Sequence, residues 1–143
     1  MKLQTRDFGE IEIQERDIIT FAGPIFGFEE YRRFVFLYHE EINEHFVWLQ
    51  SLEEPELCFI LMAPDAVQPG YRPKLPDEAA GLLRDGEYLY WLMVSLRQPL
   101  AQSTVNLKSP IVVNPQKGLA AQFLLTENLP IRHRLIREEG KEC

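Results

Sequence analysis

The sequence predicts an all-β fold, mainly antiparallel, arranged as a small β-barrel-like single domain with one or two short helices. Apolar residues recur mostly with a period of two, as they do along half-buried strands. The apolar runs are short, and turns containing glycine, proline and acidic residues separate them, a pattern typical of barrels and sandwiches. The length of 143 residues is that of one domain. We predict a domain at residues 1–136 and a flexible tail at 137–143.

Eight or nine strands follow one another along the chain. Glu10 to Gln14 alternates cleanly between polar and apolar residues, and residues 88–96 are apolar on both faces, as expected for a central strand. Residues 115–118 form a hairpin-type turn between the last two strands. The predicted strands are 10–14, 18–21, 34–38, 46–52, 58–63, 88–96, 104–107, 111–114 and 119–126.

Helical signals are few. Residues 76–84 begin with proline and two acidic residues and continue with good helix formers, and Asp85-Gly86 ends the segment. Residues 28–33 have the composition of one short helical turn. We expect the loosest segments at 66–75, which contains two prolines and a glycine, and at 134–143.

The charge balance excludes some classes of partner. Acidic residues number 22 and basic residues 15, for a formal net charge of −7. General nucleic-acid binders show a basic footprint instead, and an acidic chain is repelled by an anionic membrane. The balance suits a basic protein partner. The start of the chain lacks an apolar signal-peptide region, no run is long enough to span a bilayer, and Cys58 and Cys143 are poor disulfide partners, so we predict a cytoplasmic protein.

No pattern in the chain indicates catalysis. The serines have no nucleophile-elbow context, phosphate-binding glycine loops are absent, and the carboxylates fall in turn clusters. His39, Glu40 and His45 could ligate a metal, but their spacing is not that of a zinc motif. A polar loop between two strands is the favoured interpretation.

Three segments contain residues that a hydrophobic core alone would not require. Residues 23–28 hold two glycines, which predict positive φ or a close backbone approach at a barrel corner or a binding site. Trp48 and Gln50 share one strand face, so Gln50 is either buried and hydrogen-bonded, the alternative we favour, or exposed in a protein contact. Asn106 and Asn114 flank a proline-interrupted strand pair and predict side-chain bonds that hold a corner. The local basic patch at 131–137 suits a solvated terminus, an acidic partner or RNA.

These segments resemble the FliW family of flagellar assembly factors. The resemblance runs in order over about residues 3 to 136, through Thr5-Arg6, Phe8-Gly9-Glu10-Ile11, residues 17–21, Gly27-Phe28-Glu29, Phe34, residues 48–52, Pro55, Thr104, Asn106-Leu107, residues 110–114 and Arg132-His133. The chain departs from the family pattern at the extra Asp7, which we interpret as a bulge, at residues 22–26, at Lys108-Ser109 and at Arg134.

The resemblance implies a small β-barrel without catalysis, cofactor or metal, and two protein ligands. One ligand is flagellin, bound through its C-terminal region before export. The other is CsrA, the RNA-binding repressor of flagellin messenger RNA. The two ligands compete, so that flagellin export frees the factor to bind CsrA and to release the messenger. Direct nucleic-acid or membrane binding is not expected, and we expect a monomer.

Two hypotheses place these partners on the chain. Acidic rims near Glu29-Glu30 or Glu53-Glu54-Glu56 face CsrA, because complementary charge speeds encounter. Flagellin adds along a strand edge or apolar groove near Trp48 and Asn106. The predicted partner-binding residues are Glu29, Glu30, Trp48, Gln50, Glu53, Glu54, Asn106 and Asn114, and the predicted structural residues are Gly9, Gly27, Phe28 and Pro110.

Two alternatives stay open at this point. A single-stranded RNA-binding barrel would use aromatic stacking platforms with basic neighbours, for which Tyr31-Arg32-Arg33-Phe34 is the one candidate segment. A small-ligand or metal-binding barrel would use His39, Glu40 and His45.

Overall fold

A computed structural model describes residues 1–38 and 45–134. The described residues form eleven strands, one α-helix and three short 3-10 turns. The helix α1 is Glu78–Leu83, and the 3-10 turns are Glu15–Asp17, Pro64–Ala66 and Leu100–Gln102. The strands are β1 Lys2–Gln4, β2 Glu10–Glu12, β3 Ile18–Phe21, β4 Arg33–Leu37, β5 Phe46–Ser51, β6 Cys58–Met62, β7 Leu89–Ser95, β8 Thr104–Val105, β9 Ile111–Asn114, β10 Leu119–Gln122 and β11 His133–Arg134.

Seven strands close into a barrel in the order β7-β6-β5-β4-β3-β10-β9, and β9 pairs back with β7. All neighbours are antiparallel except β3 and β10, which are parallel, with Leu119 opposite Thr20. The predicted all-β, mainly antiparallel small barrel is therefore confirmed.

Smaller elements extend or cover the barrel. β8 pairs with the end of β7, beyond the stretch that pairs with β9, and β11 adds to β8. β1 and β2 form a separate hairpin. Leu3 and Ile13 from this region pack on Val35, on the outer face of β4. α1 covers the outside of β9 and β10, where Leu83 packs with Val112 and Ala121.

Alternation along the strands fills the interior. Val47 and Leu49 of β5 belong to the barrel core, whereas Trp48 and Gln50 lie on the outer face of the same strand. The buried members of the core are Ile19, Phe21, Ile25, Phe34, Val47, Leu49, Leu61, Ile111, Val113 and Ala120. Each large apolar side chain buried here contributes about 1.5–3 kcal/mol relative to exposure.

The strand predictions from residue 10 to residue 126 are confirmed, with differences of a few residues at the ends. Helix α1 is confirmed, but residues 28–33 form turns and not a helix, since β4 already begins at Arg33. The segment 66–75 is not loose throughout: Tyr71 is buried, and its hydroxyl donates to the Leu107 carbonyl at 2.7 Å. The predicted tail at 137–143 lies outside the described residues.

Asp7 lies in the loop of the β1–β2 hairpin and not in a strand bulge. Thr5 and Gly9 close this loop by a backbone bond of 3.0 Å. No helix of the described residues is long and apolar enough to cross a membrane.

Candidate partner-binding site

Two acidic turns meet at one end of the barrel. Glu53 accepts hydrogen bonds from the backbone N–H of Arg32 at 2.8 Å and of Arg33 at 3.2 Å. The N–H of Leu52 donates to the Arg33 carbonyl at 3.0 Å. These bonds bring the turn after β5 against the turn before β4. We call the joined surface, Glu29, Glu30, Glu53, Glu54 and Glu56, the acidic rim.

Several rim carboxylates are fixed by backbone donors. Glu29 accepts from the N–H of Gly27 at 2.9 Å, and this bond lowers the pKa of the Glu29 carboxyl. Glu54 accepts from the N–H of Glu56 at 3.1 Å. Glu30, Glu53 and Glu56 are exposed. The rim therefore presents carboxylates in a defined arrangement to solvent.

Trp48 and Gln50 are buried on the outer face of β5, under the residues that form this end of the barrel. Gln50 is fully buried; its Oε1 accepts from the N–H of Arg6 at 2.9 Å, and its Nε2 donates to the carbonyls of Pro55 and Leu57 at 3.0 and 3.2 Å. Trp48 is 9% exposed beneath the ring of Phe8, at 5.7 Å between ring centroids. The buried alternative is confirmed for both residues, so neither side chain is available as a direct contact in this conformation.

The two asparagines lie far apart and hold turns. Oδ1 of Asn106 accepts from the N–H of Lys108 and of Ser109, both at 3.0 Å, and so shapes the break between β8 and β9. Asn114 is fully buried at the opposite end of the barrel from the acidic rim, and its Nδ2 donates to the carbonyls of Leu83 and Asp85. The structure therefore does not bring Asn114 together with the other predicted partner-binding residues.

The four residues predicted to be structural occupy turns and packing positions. Gly9 and Gly27 have φ of +68° and +88°, a backbone region that residues with a Cβ atom rarely adopt. Phe28 packs edge-on against Phe59, with ring centroids 5.0 Å apart. Pro110 is buried, and its carbonyl accepts from the N–H of Phe123.

A cleft between β6 and β7 was not predicted from the sequence. It has a volume of about 380 Å³ and is lined by Arg6, Cys58–Ile60 and residues 93–96. Nη1 of Arg6 donates to the Cys58 carbonyl at 2.9 Å, and Asp7 pairs with the same guanidinium at 2.7 Å. Burial raises the pKa of the Cys58 thiol to about 11. In the sequence, Arg6 was indicated only by its place in the Thr5-Arg6 motif. Its hydrogen bond to Cys58, 52 residues away, could not be predicted because it depends on the tertiary fold.

The structure removes the support for one of the two alternative functions, the RNA-binding barrel. Phe34 is completely buried, Tyr31 packs against the core, and Arg33 lies 3.8 Å from Glu53, so this segment is not a stacking platform for RNA. His39 and Glu40 of the suggested metal site lie outside the described residues. Within residues 1–38 and 45–134, no three His, Cys, Asp or Glu side chains are grouped so that they could hold a metal ion.

Comparison with known proteins gives one consistent result. The family model described as FliW protein matches residues 2–135. Flagellar assembly factor FliW of Desulfitobacterium hafniense is 39% identical over 142 residues, covering 96% of this chain and 93% of that protein. The same factor from Syntrophus aciditrophicus is 36% identical over 141 residues, covering 96% and 89%. A crystal structure of the flagellar assembly factor FliW superposes with a TM-score of 0.89 at 35% identity, covering 97% of this chain and 99% of that chain.

Proposed function

The chain belongs to the FliW family of flagellar assembly factors, and on that premise we propose that it is a cytoplasmic binding protein, without catalytic activity, that alternates between flagellin and the repressor CsrA. While flagellin awaits export, it occupies the factor. Once flagellin leaves, the factor binds CsrA, and flagellin messenger RNA is translated.

The acidic rim is the observation that supports binding to CsrA. Five glutamates lie on two joined turns, which also carry Arg32 and Arg33, in a chain whose formal net charge is −7. The RNA-binding surface of a translational repressor must be basic, because it contacts phosphates. An acidic surface steers such a partner towards the rim and disfavours binding of the factor to RNA itself.

The flagellin surface belongs on the neighbouring face of the barrel, next to Trp48. The hairpin residues Arg6 and Phe8 cover this face. Separate but adjoining surfaces allow one partner to hinder the other without both using the same side chains.

Calorimetric titration of the full chain with CsrA from the same organism, with and without saturating flagellin, tests the proposal. We expect heat of binding with CsrA alone and its loss when flagellin is present. Binding of CsrA that flagellin leaves unchanged would contradict the switch. Absence of binding to CsrA, together with binding to flagellin, would reduce the function to that of an export chaperone.

A further inference from the structure

β6 and β7 pair over only part of their length. Within the described chain, their register joins Leu61 to Met93 and Met62 to Leu92. Continued in the same register, Ile60 would face Val94 and Cys58 would face Leu96. The strands separate there instead, and the cleft described above opens between these residues.

The two sides of the cleft are strand edges that face each other. The Met93 carbonyl accepts from the N–H of Asn106, on the β8 side of β7. Because successive peptide groups of a strand point to opposite sides, the N–H and C=O groups of Val94 and Leu96 point into the cleft. The Cys58 carbonyl accepts from Arg6 within the cleft, so the peptide groups of Cys58 and Ile60 face the cleft from the other side.

The side chains around the cleft are mostly uncharged. Phe59 and Met93 point towards the barrel core, and alternation places Ile60 and Val94 on the outer face. Arg6 is the one charged residue among those that line the cleft, and Asp7 neutralises it at 2.7 Å. An uncharged segment therefore complements the cleft, whereas a basic surface complements the acidic rim.

We propose that the β6–β7 cleft accepts an extended, uncharged segment of flagellin, which adds as a strand between β6 and β7. Main-chain hydrogen bonds to two exposed edges would hold the segment, as in other cases of strand addition. The inference rests on the proposed function, which supplies the partner, and it specifies where that partner binds.

Arg6 must release the Cys58 carbonyl before the segment enters. Its backbone stays in place, because Gln50 accepts from the Arg6 N–H. Its side chain is 35% exposed and has solvent into which it can turn. Since Cys58 follows closely after Glu56, a segment bound in the cleft ends beside the acidic rim and hinders a second partner there.

Hydrogen exchange of backbone amides tests the inference on the complete chain, alone and with saturating flagellin from the same organism. We expect the amides of Cys58, Ile60, Val94 and Leu96 to exchange more slowly in the complex, while those of β9, which already pairs with β7 and β10, stay unchanged. Binding without slower exchange at these four amides would overturn the inference and leave the proposed function intact. Absence of binding would overturn both.

A pair of variants at Leu96 separates the backbone donor from the side chain. Leu96 is 51% exposed and follows β7. Leu96→Pro removes an N–H that faces the cleft, and we expect roughly a tenfold weaker affinity for flagellin. Leu96→Ala retains the N–H and should weaken binding much less. Equal affinities of the two variants for flagellin would overturn the inference, provided that their thermal midpoints match that of the parent chain. If Leu96→Pro does not fold, the exchange experiment on the parent chain decides the matter.

Discussion

Gln50 is the residue on which the end of the barrel depends most. One amide group satisfies the N–H of Arg6 in the hairpin loop and the carbonyls of Pro55 and Leu57 in the turn after β5. A buried polar group is tolerated only when it is hydrogen-bonded in this way. The Gln50 side chain therefore connects the hairpin loop to the turn after β5, two segments that lie far apart in the sequence.

Replacing Gln50 by alanine should destabilise the protein by about 3 kcal/mol, because several buried backbone groups lose their partner. Urea unfolding monitored by tryptophan fluorescence measures the change. The control is Gln4→Ala, which removes an exposed bond to Glu10 and should cost less than about 0.5 kcal/mol. Equal losses of unfolding free energy in the two variants would show that the buried Gln50 hydrogen bonds stabilise the protein no more than an exposed one.

The Cys58 thiol should be unreactive for an electrostatic reason. Burial raises its pKa from an ordinary 9.0 to about 11, although the Arg6 guanidinium lowers it in part. At pH 8 the folded protein then holds roughly 100-fold less thiolate than the unfolded chain, and only the thiolate is nucleophilic.

Alkylation by iodoacetamide at pH 8 checks this prediction in a Cys143→Ser variant, where Cys58 is the only thiol. The rate in native protein should be about 100-fold below the rate in urea. Because the folded pKa lies above the unfolded one, the contribution of the thiol to stability is complete below pH 9 and declines as pH rises from about 9 to about 11. Similar rates in both states would show that Cys58 is accessible and ionised.

The strands that could be predicted from the sequence are those with a hydrophobic pattern of their own. β3, β5 and β9 show alternation or an apolar run bounded by turn residues. β1 and β11 were missed, since their residues are not part of any longer alternating or apolar run and form strands only because β2 and β8 pair with them. The cleft was missed for a related reason: it depends on where two correctly predicted strands stop pairing.

The end of α1 contains a backbone conformation that its residue does not favour. Arg84 has φ of +68°, a region in which a Cβ atom is unfavourable. Asn114 ties this end to the barrel through bonds to the carbonyls of Leu83 and Asp85. The tertiary contacts therefore hold the helix end in a conformation that glycine would adopt at lower cost.

Arg84→Gly should stabilise the protein by about 0.5–1 kcal/mol, because it removes this strain. Arg84→Ala keeps a Cβ atom at the same φ and should give no such gain. The thermal midpoints of the two variants, measured side by side by circular dichroism, give the answer. A gain in the alanine variant as large as in the glycine variant would assign the effect to the lost arginine side chain.

The strand topology decides which of the predicted contact residues come together in the folded molecule. The acidic rim gathers carboxylates from two turns that are about 20 residues apart in sequence and joined by Glu53. The sequence predicted these carboxylates as candidate contacts but offered two separate rims, because their adjacency follows from β4–β5 pairing. Asn114 shows the opposite case: a residue of the matched motif that folding places far away.

Reversing charge on the rim should slow association with CsrA and flatten its dependence on salt. We propose the double change Glu54→Lys and Glu56→Lys, which spares Glu53 and its bonds to the start of β4. The matched control is Asp85→Lys with Glu87→Lys, the same charge change at exposed positions beside the opposite end of the barrel. Stopped-flow association rates over a range of ionic strength should fall several-fold for the rim variant alone. Equal effects in both variants would mean that net charge acts without a preferred surface.

The parallel pairing of β3 with β10 sets when the barrel can close during synthesis of the chain. Leu119 pairs with Thr20, so the ring closes between segments almost 100 residues apart. A nascent chain that has released β3 to β9 from the ribosome still holds an open sheet, and non-local closure of this kind is slow. Only a chain that already includes β10 can close the ring, so shorter nascent chains lack the closed barrel on which the proposed partner surfaces depend.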